Sequence, residues 1–289
     1  MRIKKLCCTW SKNFFRPMLM EKYGMEIHDP EMDINQPVVF FGCYGVGIKE
    51  YIMKHQGLAI IVWSGSDSTR LHEFTPFVRY CNQNQHRVFN IAHSHWIQKD
   101  LEHHKMEYID RVVLPKDLSE YKFCPTWGDK VYHYGSKDRI WYYGSHLMQR
   151  LRNEWEKPRD RPKVEIVLSG STYGQKELIK IYQKSFIGVR LTEHDNMALS
   201  AIELGLMGRR TIYNGNIPCA IHYGQNYTKY DPETRRRWVY QDQSLLNVVK
   251  NLVLEQWKRH SLGPDRELAE EMREFVFDDE KWLDTKFYE

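Results

Sequence analysis

Phe186-Ile187-Gly188-Val189-Arg190-Leu191-Thr192-Glu193-His194-Asp195-Asn196-Met197 passes from a β-rich apolar run through a dense polar loop into the stretch that closes with Ala201-Ile202-Glu203-Leu204-Gly205-Leu206-Met207-Gly208. It predicts a buried strand, a loop at its carboxyl end, and a helix over 197–207. The same succession recurs on both sides. Apolar runs stand at Val38–Phe41, Leu58–Trp63, Val88–Ala92, Val112–Leu114, Lys130–Tyr134, Val164–Leu168 and Arg210–Tyr213. Helical patterns lie between them at Gly47–Lys54, Ser94–His104, Arg139–Asn153 and Gln175–Gln183, and Ser94 is placed to cap its helix. Strands that are apolar throughout, alternating with helices, predict α/β architecture with parallel sheets covered on both faces.

The alternation breaks once. From Pro115 to Gly128 neither strand nor helix period is present, and Pro115 and Pro125 bracket the gap. Two Rossmann-like α/β halves facing a cleft follow as the expected organisation: an N-terminal domain over 1–118, a C-terminal domain over 119–262, and an acidic helical segment over 263–289. Ser244–Arg259 places Leu245, Val248, Val249, Leu252 and Val253 on one helical face, and Gly263-Pro264 stops that helix.

Composition bounds the function. In 289 residues, 42% hydrophobic and 28% charged residues exclude a disordered or fibrous chain. The apolar run Leu58–Trp63 falls far short of the roughly 20 residues of a membrane-spanning helix. Met1-Arg2-Ile3-Lys4-Lys5-Leu6 is basic without the apolar run of a signal peptide. Six cysteines with no Cys-x-x-Cys spacing read as thiols, and the expected compartment is the cytoplasm. The net charge of +4 is uneven: Pro264–Glu289 carries 10 acidic and 4 basic residues, so the remainder is at +10. A basic body suits a phosphate-bearing partner. Arg235-Arg236-Arg237-Trp238 is the sharpest basic cluster, but no nucleic-acid module accompanies it.

In open parallel sheets, ligands bind beyond the carboxyl ends of strands, where helix N-termini offer free amides. After Val189, Asp195 or Asn196 is the expected N-cap of the next helix; its first amides suit a diphosphate, and Glu203 is placed for ribose hydroxyls. The plainer alternative is that Asp195 only caps and Glu203 is one more helix carboxylate.

The run Arg190 to Asp195, the Ile202-Glu203 pair, Gly208 and the strand Thr211-Ile212-Tyr213-Asn214-Gly215 resemble nucleotide-sugar-dependent glycosyltransferases of the GT-B fold, of bacterial or large-DNA-virus type, that build surface glycans. Many of those families carry two acids separated by seven positions. Asp195 and Glu203 hold that spacing, with Asp where Glu is usual. The resemblance covers about 128–230 and reaches the first half only in outline. It implies donor contacts along the loop at Thr192, Glu193, His194, Asp195, Asn196 and Met197, with Glu203 on the ribose. It further implies Lys137 and Arg139 on the donor phosphates, and Ser169 and Gly170 beside the base. Arg190, a cation at a strand's carboxyl end, is the expected stabiliser of the departing diphosphate.

In the first half, Gly42-Cys43-Tyr44-Gly45-Val46-Gly47 is a glycine turn between strand and helix. Its Gly-x-x-Gly-x-Gly order is not the dinucleotide fingerprint, although Asp67 lies at the ribose-acid offset from Gly47. In the glycosyltransferase reading, Gly45 belongs to a loop under the diphosphate. Asp67 is the candidate general base, with capping of the following helix by Asp67 or Ser68 as the alternative role, and His93 is a candidate for a sugar hydroxyl. His93 and His95 with His103 and His104 invite a zinc reading, but no third ligand has supporting spacing. The expected function is transfer of a sugar from a nucleoside-diphosphate donor, UDP or GDP in type, to a hydroxyl of an acceptor glycan, with no metal or other cofactor. A nicotinamide-dependent oxidoreductase and a silent glycan- or nucleotide-binding protein stand as alternatives.

Overall fold

The computed structural model describes residues 1–8, 15–136, 140–155, 162–169, 174–192, 195, 198–224, 228–231, 236–239, 243–277 and 280–288. The chain divides into two compact units. The first comprises Met1–Asp117, His194–Met197 and Val276–Glu289; the second comprises Leu118–Glu193 and Ala198–Phe275.

The first unit runs β1 (Lys5–Cys8), α1 (Arg16–Tyr23), β2 (Glu26–Ile27), β3 (Val38–Phe41), α2 (Val46–Lys54), β4 (Ala59–Val62), α3 (Thr75–Gln83), β5 (Val88–Ile91) and α4 (His95–His103). Its five strands pair in parallel in the order β2-β1-β3-β4-β5. Alternate side chains of a strand point to opposite faces, and here both faces are apolar. Val38, Phe40, Ala59 and Ile61 pack with Ile52, Phe77, Ile97 and Leu101. Val39, Phe41, Ile60 and Val62 pack with Leu19, Tyr23, Trp282 and Leu283. Each such side chain contributes about 1.5–3 kcal/mol when fully buried. The apolar runs are therefore continuous because neither face of β3 or β4 meets water.

The second unit runs β6 (Lys130–Ser136), α5 (Ser145–Trp155), β7 (Lys163–Ser169), α6 (Gln175–Gln183), β8 (Ser185–Val189), α7 (Leu199–Leu206), β9 (Arg210–Ile212), β10 (Ala220–Ile221), β11 (Thr228–Asp231), β12 (Arg236–Val239), α8 (Gln243–Lys258) and α9 (Arg266–Phe275). The parallel sheet has the order β10-β9-β8-β6-β7, and β11 and β12 form an antiparallel hairpin. Gly188 lets α7 lie directly on β8: a Cβ there would meet Leu204 at 2.6 Å. Arg209 is fully buried and donates to the carbonyls of Ser185, Met207 and Thr126, tying the segment ahead of β6 to the start of β8.

Several expectations are corrected. Val112–Leu114 forms no strand. The Leu114 carbonyl accepts from the Tyr23 hydroxyl at 3.0 Å and Lys22 Nζ at 3.2 Å, and the next residue, Pro115, has no amide for a ladder. The helix expected from Arg139 begins at Ser145, because Gly144 at φ +68° turns the chain and sits against Leu191. Ser94 precedes α4 but makes no side-chain cap; its hydroxyl donates to the Asp195 carbonyl at 2.6 Å. Asp195 does not cap α7 either. That helix starts at Leu199 behind Ala198, without a side-chain cap. Among the described residues no helix is long and apolar enough to cross a membrane. All six cysteines are free thiols.

Candidate functional site

At the carboxyl end of β8 the chain leaves the sheet through Arg190, Leu191 and Thr192, and all three are fixed. The Arg190 guanidinium is buried against an edge-to-face pair of rings, 5.4 Å from the centre of Tyr134 and 5.6 Å from that of Tyr143, and its Nη1 lies 3.4 Å from Ser200 Oγ on the first turn of α7. The Leu191 carbonyl accepts from the Tyr223 hydroxyl at 2.9 Å, and Thr192 Oγ1 donates to the Tyr142 carbonyl at 3.4 Å. Arg190 keeps its charge under all ordinary conditions and presents planar donors, while the aromatic faces replace part of its lost hydration. A desolvated cation beside the uncapped start of α7, whose amides add a partial positive charge, forms a locus that favours an anion.

Beneath it, His133 on β6 braces the same strand end. Its Nδ1 is 3.0 Å from the Val189 carbonyl and its Nε2 is 3.1 Å from Ser145 Oγ. The carbonyl can only accept, so Nδ1–H donates and Nε2 accepts from the serine hydroxyl. Burial first, and the nearby Arg190 charge after it, push this imidazole down to about 4, so it is neutral at physiological pH.

Glu203, placed by resemblance on a ribose, lies in a different setting. The residue is 3% exposed, and its Oε2 accepts from the Tyr182 hydroxyl at 2.5 Å. The hydroxyl of Tyr121 hydrogen-bonds to the same carboxylate. Tyr132 packs edge-on to Tyr182 at 4.9 Å, with the two hydroxyls joined. All three phenols are pushed up, first by burial and further by the Glu203 carboxylate.

In the first unit, Asp67 takes the Cys43 amide at 2.8 Å on one oxygen, and both of its oxygens lie within 3.2 Å of the Ser64 amide. At 2% exposure this carboxylate clasps the glycine turn to the loop after β4. Both amides precede Asp67 in the chain, so the clasp ties two loops and is not the cap of a following helix. Lys49 on α2 pulls the turn from the other side, with its Nζ donating to the Cys43 carbonyl at 2.7 Å while lying 4.4 Å from the Phe74 ring centre. Gly45 is the residue preceding α2, which has no side-chain cap, so the first amides of that helix stay available. His93 is half-buried, two residues past β5.

Ser169 ends β7 in register with Ser136. Lys137, Arg139, Gly170, Glu193, His194, Asn196 and Met197 lie outside the described residues. Sequence reasoning missed Tyr134, Tyr143, Ser200 and His133, which assemble around Arg190. The crowded aromatics of Trp141-Tyr142-Tyr143 were the available signal.

No protein-family model and no curated protein matches the chain. Among solved structures, a point mutant of S. aureus TarM in complex with fondaparinux, α-GlcNAc-glycerol and UDP is similar at 12% identity and a TM-score of 0.51, over 87% of this chain and 53% of that one. A second TarM structure is similar at 12% identity and a TM-score of 0.48, over the same shares. The chain thus spans about half the length of these structures. The likeness shows the fold: two Rossmann-like α/β domains of the GT-B type.

Proposed function

We propose that the protein is a glycosyltransferase that moves a hexosyl or pentosyl unit from a nucleoside-diphosphate sugar to a hydroxyl of an acceptor glycan without a metal ion. The second unit takes the donor and the first unit the acceptor, as the GT-B resemblance implies. The observation that carries the reading is Arg190: a buried cation packed against the paired rings of Tyr134 and Tyr143, at the carboxyl end of β8 and beside the start of α7. When the glycosidic bond to the donor breaks, negative charge grows on the leaving diphosphate. A preoriented guanidinium and free helix amides favour that charge more in the transition state than in the bound donor. Lys137 and Arg139 are the further candidates for the same phosphates. That the similar TarM mutant was solved with UDP and α-GlcNAc-glycerol adds support.

Calorimetric titration with UDP and GDP tests this directly, with NADH as the control for an oxidoreductase. One of the two diphosphates is expected to bind, and Arg190→Ala is expected to weaken it by roughly tenfold or more, equivalent to about 1.4 kcal/mol. Binding of NADH alone, or a nucleotide affinity indifferent to Arg190→Ala, overturns the proposal.

A further inference from the structure

Glu203 is the one residue whose surroundings depart most from the role its spacing suggests. Its carboxylate points into a buried cluster made by three separate parts of the second unit: Tyr121 from the segment ahead of β6, Tyr132 from β6, and Tyr182 from the end of α6. Each of the four residues is no more than 3% exposed. A ribose can reach this carboxylate only by opening the packing that buries it, the Tyr132 and Tyr182 rings included. The same helix carries Ser200, one turn toward its start, 3.4 Å from the Arg190 guanidinium. A short helix of eight residues is thereby pinned from behind by Glu203, while its leading turn meets Arg190.

We infer that Glu203 is a positioning residue: through Tyr182 and Tyr121 it fixes α7, and α7 in turn sets Ser200 against Arg190, with no contact between Glu203 and the donor. This rests on the donor reading proposed above. A buried carboxylate that accepts from two phenols has the geometry of an anchor, because charge-assisted hydrogen bonds in a water-free site resist rearrangement. Phenol and carboxylate also depend on one another: removing either leaves the other buried without its partner.

That mutual dependence supplies the test. Glu203→Gln keeps the side chain's shape, and Tyr182→Phe removes a hydroxyl that no bound nucleotide touches in this arrangement. The dissociation constant of the nucleoside diphosphate that binds wild type is measured by calorimetry for both variants and their double mutant. Melting temperatures are measured on the same samples. A positioning role predicts that each single variant weakens nucleotide binding by a similar factor, roughly three- to tenfold. The double mutant is then no worse than either, because one linkage has been cut twice. Loss of binding in Glu203→Gln with full affinity in Tyr182→Phe makes Glu203 a direct ligand and overturns the inference. Lowered melting temperatures with unchanged affinity in both variants also overturn it, reducing the cluster to packing. If wild type binds neither UDP nor GDP, the donor reading fails by itself. The melting temperatures then judge the linkage alone: a double mutant equal to the worse single variant supports it, and additive losses refute it.

Discussion

Acid should unfold this protein well before its carboxylates are protonated, and two histidines set where. His55 closes α2 in the first unit and His133 lies in β6 of the second; both are fully buried, and burial pushes each imidazole from 6.5 down to about 4. In the unfolded chain each takes a proton near 6.5, while in the folded protein each stays neutral until about 4. Between those values the unfolded state holds more protons, so stability is complete above pH 6.5 and is lost as pH falls toward 4. At about 1.4 kcal/mol per pH unit, each histidine removes about 3 kcal/mol across the window. Near pH 5 the pair together gives a slope of about 2.7 kcal/mol per pH unit. His28, lowered chiefly by burial, acts in the same direction beside His55. Lys5, Asp29 and Asp33 surround His28, Arg87 lies near His55, and Arg190 and His146 lie toward His133. Asp110, raised by its own burial, works in the opposite sense. Asp33, held low chiefly by the Asp29 amide, loses its contribution only below the ordinary carboxylate range.

The assay is calorimetric unfolding at pH 7, 6, 5 and 4.5, with His55→Phe alongside wild type. Both ring nitrogens of His55 lie buried with no partner at hydrogen-bond distance, and the carbonyls of Gln36 and Leu58 offset only part of the burial. An apolar ring in the pocket beside Phe40 and Tyr51 thus gives up only the approach of those two carbonyls and cannot charge. His55→Phe should match wild type at pH 7 to within about 1.5 kcal/mol and exceed it by about 2 kcal/mol at pH 5. A flat midpoint between pH 7 and 4.5, or a His55→Phe protein that keeps the wild-type slope, refutes the reasoning.

Three other outcomes are expected. Asp67→Asn leaves one acceptor for the amides of Cys43 and Ser64, so chemical unfolding should show a loss of about 1–3 kcal/mol, with faster hydrogen exchange at the Cys43 amide. Gly144→Ala puts a Cβ 2.8 Å from Leu191 Cδ1 at φ +68°; the left-handed backbone alone costs about 1–2 kcal/mol, and urea titration should find at least that. Trp282→Ala removes a buried ring packed edge-on at 5.4 Å from Tyr23 and should cost about 3–5 kcal/mol by the same titration.

The α/β class was legible because β3, β4 and β8 are buried on both faces, and burial on both faces writes an uninterrupted apolar run. What stayed hidden has the opposite property. β1 is four residues beginning with Lys5, and β2 is the exposed pair Glu26–Ile27; their strand character comes from pairing with each other and with β3, which no local period records. Val112–Leu114 misled for the complementary reason. Val113 and Leu114 are buried and apolar, as a strand would be, but burial there comes from α1, whose Tyr23 and Lys22 take the Leu114 carbonyl. Hydrophobicity reports that a segment is covered, and does not report what covers it.

The candidate site separates along the same line. Arg190 stood out because charge at a strand's end, next to a polar loop, has few structural explanations, and it lies buried beside the start of α7. Asp67 and Glu203 stood out by spacing alone, and spacing is shared by every role a carboxylate can fill. Asp67 meets two backbone amides from loops 24 and 3 residues away in sequence, and Glu203 meets a tyrosine 21 residues earlier. Neither Cys43, Ser64 nor Tyr182 carries a mark in the sequence that says it will be spent on a carboxylate. The same holds for Tyr134 and Tyr143, whose place against a guanidinium no local pattern in the sequence records. A charged residue is therefore readable from sequence when its position is unusual, and its task becomes readable only when the groups that neutralise it are known. For Arg190 the rings of Tyr134 and Tyr143 are among those groups, and only the fold brings them together.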